Sequence, residues 1–205
     1  MDAALDLALA AQERCVWLTD SGDNPTAGTP GDSTYFLRGL LERDVSDAVL
    51  ASIPDAAAWQ VCMSAGAGKR VQLQLGGHWD NLHSGPLEAE ALVEHVSEGD
   101  SPTATVRIGG VRVIITKFRK SMRNLADFQA AGIDPLAHKI VVVKLGYLMP
   151  QLRDAAEREI IVLTPGYSDM QLDRLPYRYL TRPIFPLDQD FAWRPQVNNI
   201  AAYSD

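Results

Sequence analysis

The constraint that shapes everything else is a long glycine- and proline-rich loop held between two regular elements. Residues 15–18, Cys-Val-Trp-Leu, are apolar and rich in strand formers, and Tyr35, Leu37, Leu40 and Leu41 repeat at helical spacing over residues 33–43. Between them lie Asp20, Asp23, Asn24 and Asp32, set among Gly22, Pro25, Gly28, Pro30 and Gly31, residues that turn the chain. Unstructured loops beyond about 12–15 residues in a compact domain are functional or disordered. A strand and a helix pinning both ends favour function, and the carboxyl end of a strand is where open α/β sheets place their chemistry. Asp32 and Ser33 are also suited to cap the helix that follows.

The rest of the chain alternates in the same way. Residues 2–13 read as a helix and 47–53 as a strand. A helix then runs from Pro54-Asp55 to about Ser64, and 71–75 is a half-buried strand with clean alternation. Residues 88–97 read as a strand, with helix as the alternative. Two β-branched runs, 103–108 and 111–116, flank Gly109-Gly110, the signature of a hairpin. A short helix follows at 125–131, then a buried parallel strand over 139–144, a helix to about Arg158 and a strand at 160–163. The expected fold is therefore α/β, a mixed sheet with flanking helices and a β-hairpin. Residues 174–188, with Pro176, Pro183 and Pro186, read as an extended strap, and 189–205 as a polar tail anchored by Phe191 and Trp193.

Composition narrows the partners. A hydrophobic content of 46% with 22% charged residues is that of a soluble globular domain. A net charge of −7 argues against nucleic acid or an anionic membrane surface, and no apolar run reaches the ~20 residues of a membrane span. Cys15 and Cys62 sit in apolar runs without metal spacing and read as buried thiols in a reducing compartment. Asp2, Asp6 and Glu13 make the first residues unlike a signal peptide, so the cytoplasm is the expected location.

Gly68-Lys69 is no phosphate loop, since Met63 stands where the motif needs glycine and Arg70 where it needs Ser or Thr. Lys117, Arg119, Lys120 and Arg123 form a basic cluster after the hairpin, either a solvated face or a clamp for an anion or carboxylate. His78, Asp80 and His83 share one loop and are the nearest approach to a metal set. No His-x-x-x-His pair accompanies them.

Asp20-x-x-Asp23-Asn24-Pro25 followed by Gly28-x-Pro30-Gly31-Asp32 resembles the C-terminal domain of the MlrC-type (microcystinase C-like) metallopeptidases. The likeness continues through Gly66-x-Gly68, Leu75-Gly76-Gly77, Gly85-Pro86, Gly132-Ile133-Asp134-Pro135 and Val142-Val143-Lys144, and ends at residues 182–188. It thus spans 1–188 as one domain. Thr26-Ala27-Gly28 stands where the family has three glycines, and Lys144-Leu145-Gly146-Tyr147 where many members have Ser and His-Phe.

The resemblance implies a metal-dependent hydrolase whose zinc ligands lie on a larger N-terminal domain. It also implies that this chain starts about where that domain would end. On that view Asp20, Asp23 and Asn24 complete the catalytic site, with Gly28, Gly31, Asp32, Lys117 and Arg119 toward a peptide or amide substrate. The chain alone is expected to hold no zinc and to need a metal-binding N-terminal domain or subunit. With that surface uncovered, self-association into a homo-oligomer is expected. The competing readings are a non-catalytic small-molecule or peptide binding module and a structural subunit.

Overall fold

The computed structural model describes residues 1–195; the far part of the predicted tail, residues 196–205, lies outside the described residues. Two units are distinguished, Met1–Met170 and Gln171–Asp205. The first is an eight-stranded sheet in the order β3-β4-β5-β6-β2-β7-β1-β8. Its strands are β1 (Val16–Asp20), β2 (Ala48–Pro54), β3 (Arg70–Leu75), β4 (Leu87–Ser97), β5 (Thr103–Ile108), β6 (Val111–Thr116), β7 (Ile140–Val143) and β8 (Arg158–Val162). From β6 to β8 every neighbouring pair is parallel; β3 to β6 form an antiparallel meander. The sheet is mixed, as expected, and the β5–β6 hairpin turns on Gly109-Gly110. Pairing on both sides settles residues 88–97 as strand.

The helices α1 (Asp2–Ala10), α2 (Tyr35–Glu42) and α3 (Ala56–Ala65) lie on one face, where Phe36, Leu40 and Trp59 share a core with Val16, Leu18, Leu50 and Val142. On the other face, α4 (Leu125–Ala130) and α5 (Pro150–Ala155) pack Phe128 and Leu152 against Trp17, Val49 and Val141. Strand alternation does the sorting: Val16 and Leu18 point one way and Trp17 the other. Trp17 and Phe128 meet edge-on with ring centroids 5.7 Å apart.

This arrangement fixes where the site falls. The β1–α2–β2 connection crosses the first face, and the β7–α5–β8 connection crosses the second in the opposite direction. β7 and β1 are adjacent. Connections that part to opposite faces open a crevice at the carboxyl ends of the two strands between them. The long loop after β1 and Lys144 after β7 both begin there. The meander also curls round α3, because Leu73 and Leu75 join its core and the Gly76 amide returns to Asp55 beyond β2.

Local departures from the sequence expectation have simple causes. Pro54 ends β2 and Asp55 caps α3, its Oδ1 accepting the Ala58 amide at 2.9 Å. α2 starts at Tyr35 with Thr34 as N-cap, so Asp32 caps nothing; its carboxylate is used elsewhere. In the second unit, residues 182–188 close on themselves. Arg182 pairs with Asp188, which also accepts the Ile184 amide at 2.8 Å. No helix among the described residues is long and apolar enough to cross a membrane.

Candidate functional site

At the crevice the chain seals itself with an ion pair. Lys144 Nζ donates to Asp23 Oδ2 at 2.9 Å and to the carbonyls of Gly31 and Ser33 at 2.6 and 2.7 Å, with both side chains 2% exposed or less. Asp23 in turn accepts the amides of Gly31 (2.9 Å) and Ser33 (2.8 Å). Burial pushes the Asp23 carboxyl up, but the Lys144 ammonium and the hydrogen bonds from Lys144 and Ser33 outweigh it and hold the pKa below its usual value. Asp23 therefore fastens both ends of its own loop. Gly31 sits at φ 84° against the Pro25 ring, a conformation that a side chain would strain. In the sequence Lys144 marks the end of an apolar strand and one piece of the family likeness; a cation closing a buried run is the signal that it needs a buried partner.

Asp20, at the tip of β1, faces the loop after β8. It accepts the Thr164 hydroxyl, and the Gly22 amide at 3.2 Å. The two loops touch backbone to backbone: a Cβ on Gly22 would lie 2.3 Å from the Thr164 carbonyl oxygen. Burial raises the Asp20 pKa, opposite to Asp23. A carboxyl that keeps its proton longer in the folded state stabilises less as pH rises from its unfolded value, about 3.9, toward its folded one. Asp20→Asn keeps the accepting oxygen and removes the titration. Its melting temperature relative to wild type is expected to rise from pH 4 upward, and a flat difference across a pH series of thermal scans counts against it.

Asn24 caps the short 3-10 turn Pro25–Ala27 through Oδ1, which accepts the Thr26 amide and hydroxyl at 2.9 and 2.6 Å. Its Nδ2 looks toward Gly146, where an added Cβ would stand 3.3 Å away. Gly28 closes the turn at φ 101° with open space above it. Thus Asp20, Asp23, Asn24 and Gly31 come together at one mouth, and Gly28 lies on its rim.

Asp32 links this loop to the second one. Buried completely, it accepts the amides of Trp79 (2.8 Å) and Asp80 (3.2 Å), while its own carbonyl takes the Gly77 amide at 2.7 Å. Ser84 adds a cross-link through the Ser33 hydroxyl (2.9 Å) and the Thr34 amide (2.8 Å). The loop's histidines separate. His78 Nε2 lies 3.0 Å from Asp55 Oδ2, whereas His83 Nδ1 lies 2.8 and 3.0 Å from the two Asp80 oxygens and stands edge-on to Tyr167. Among the described residues no three His, Cys, Asp or Glu side chains come together as a metal set. The residues present do not fit a catalytic zinc, which needs three such ligands.

The basic cluster divides. Arg119 Nε donates to the Thr29 carbonyl at 2.7 Å and Nη2 to that of Pro25, so it buttresses the first loop. Lys117 turns away onto the Trp59 ring, 4.3 Å from its centroid. A polar cavity of about 310 Å³ opens on one side of Arg119, toward Thr26 and Arg123, and an apolar one of about 450 Å³ on the other, under Trp79. Trp79, Leu82, Phe118, Tyr147 and Tyr167, each at least 56% exposed, ring this face.

Three comparisons bear on what the face belongs to. The sequence model of the family described as MlrC C-terminus matches residues 18–179. Microcystinase C of a Sphingomonas species is 29% identical over 197 residues, covering 91% of this chain and 38% of the relative. The crystal structure of a proposed metallopeptidase from Mesorhizobium sp. BNC1 superposes with a TM-score of 0.78 at 25% identity, over 94% of this chain and 41% of that one. The chain spans about two-fifths of the length of these relatives.

Proposed function

Since the chain belongs to the MlrC C-terminus family, we propose that it serves as the site-completing domain of a microcystinase-like, metal-dependent peptidase or amidohydrolase. The observation that carries this is the loop face. Its floor is a closed network of buried polar groups, Asp20, Asp23, Asp32 and Lys144, under a rim of uncovered aromatic side chains. A rigid polar floor is what positioning at an active site requires. An apolar rim of this kind is what a second domain covers.

On this reading the metal, zinc, is held by an N-terminal domain or subunit corresponding to the part of the relatives that this chain does not match. The roles left to this chain are those of positioning. Asp23 and Lys144 hold the loop in shape, and Asp20 ties it to Thr164 in the loop after β8. Asn24 Nδ2 offers a donor to a peptide or amide carbonyl. His83 has its Nδ1 fixed by Asp80, the arrangement of an oriented imidazole. A cytoplasmic setting suits Cys15 and Cys62, whose thiols burial pushes up to about 11, leaving them inert.

The test is a chimera in which this chain replaces the matching part of Microcystinase C, assayed on the parent enzyme's own substrate. Hydrolysis that a chelator abolishes, and that Asn24→Ala lowers by on the order of tenfold or more as for a lost transition-state contact, is the expected result. A folded, metal-loaded chimera without hydrolysis refutes the reading.

A further inference from the structure

We propose that the cavity between Pro25-Thr26 and residues 119–127 binds the carboxylate of an acidic ligand, an inference that rests on reading this face as the substrate side. Charge decides the sign of the guest. Arg119, Lys120 and Arg123 line the cavity with Asp127 as its one acid. Asp127 Oδ1 is paired with Lys120 at 3.0 Å, so two guanidinium groups remain in excess. Arg119 is already oriented by the Pro25 and Thr29 carbonyls through Nη2 and Nε, which leaves its Nη1 edge for a guest. Arg123 makes no side-chain hydrogen bond or ion pair among the described residues. A chain of net charge −7 that gathers uncompensated cations in one concave spot is built for a small anion rather than for a polyanion.

Several backbone donors around the cavity are already used, and the side-chain donors favour carboxylate over phosphate. Phosphate sites draw on free backbone N–H groups. Here the amides of Arg123 and Asn124 are taken by Asp127 Oδ2, that of Asp127 by Asn124 Oδ1, that of Leu125 by Gln151 and that of Thr26 by Asn24. The side-chain donors open to a guest are guanidinium edges, whose paired N–H groups match the two oxygens of a carboxylate.

The experiment is a ¹⁵N NMR titration of the 205-residue chain with succinate, and separately with inorganic phosphate, at ionic strength fixed with sodium chloride. Expected are saturable shifts of the Arg119 and Arg123 Nε–H signals and the Thr26 amide, with succinate the tighter. Arg123→Gln should leave the rest of the spectrum in place and weaken succinate about tenfold, the worth of one charge-assisted hydrogen bond. Linear shifts spread over all basic residues, tighter binding of phosphate, or an Arg123→Gln titration equal to wild type would each overturn the proposal. No partner or metal enters this measurement. An inactive chimera beside normal succinate binding therefore sinks the hydrolase reading alone, and an active chimera whose chain ignores succinate sinks the cavity alone.

Discussion

Asp23→Ala is expected to cost the first unit about 3–5 kcal/mol, enough to bring a domain of ordinary stability close to unfolding at room temperature. The loop geometry and the family resemblance lead to the contrary expectation, an inactive but well-folded variant, because they place Asp23 in the catalytic site; a turn residue would instead show a large loss of stability. The structure reverses that expectation. Without the carboxylate, the Lys144 ammonium stays buried against two carbonyls, and the Gly31 and Ser33 amides lose their acceptor. Lys144→Met should cost a similar amount, for it strands the carboxylate. The double variant Asp23→Ala/Lys144→Met should lose clearly less than the sum of the two, since neither charge is then left alone. Urea unfolding of the four proteins gives the cycle. The pH dependence has a fixed sign: with the Asp23 pKa held below its usual value, its contribution is complete above about pH 4 and is lost as pH falls through the folded value. A single-variant loss under about 1 kcal/mol, the scale of an exposed pair, would remove the ion pair from the account of this loop.

What the sequence made legible is what local pattern can carry. Alternation in 71–75 and the Gly-Gly link at 109–110 placed strands, and a long loop between a strand and a helix placed the mouth of the site. Pairings across the chain left no such mark. Lys144 and Asp23 are far apart in sequence, and nothing near either one says that they meet. Thr164 and Asp20 are likewise joined only because β8 lies beside β1. Residues 88–97 stayed ambiguous because acids alternate with Ala and Val at a spacing that suits either element, until strands on both sides decided it. The loop histidines, five positions apart in sequence, part in space because the curl of the meander brings Asp55 to His78 while Asp80 holds His83.

Asp32→Asn should loosen the second loop at Trp79 and Asp80 while leaving α2 intact, which sets the structure against the sequence most directly. If Asp32 capped α2, the variant would be nearly silent, since Asn caps as well as Asp. In the structure its two oxygens accept two amides of another loop, Trp79 and Asp80. An asparagine has one acceptor oxygen, so one buried amide would then face the Nδ2 hydrogens, at a cost of about 1–3 kcal/mol. The loss falls on Trp79 and Asp80, because Ser84 still ties one end of that loop to Ser33 and Thr34, and the Gly77 amide on the Asp32 carbonyl still holds the other. Hydrogen exchange resolves the outcome: the Trp79 and Asp80 amides should lose protection, and the His83 ring signals should broaden as Asp80 no longer holds one place. The amides of the first α2 turn should exchange as in wild type. Exchange that rises in α2 with Trp79 and Asp80 unchanged would return Asp32 to the role of a cap and cut the link between the signature loop and His83.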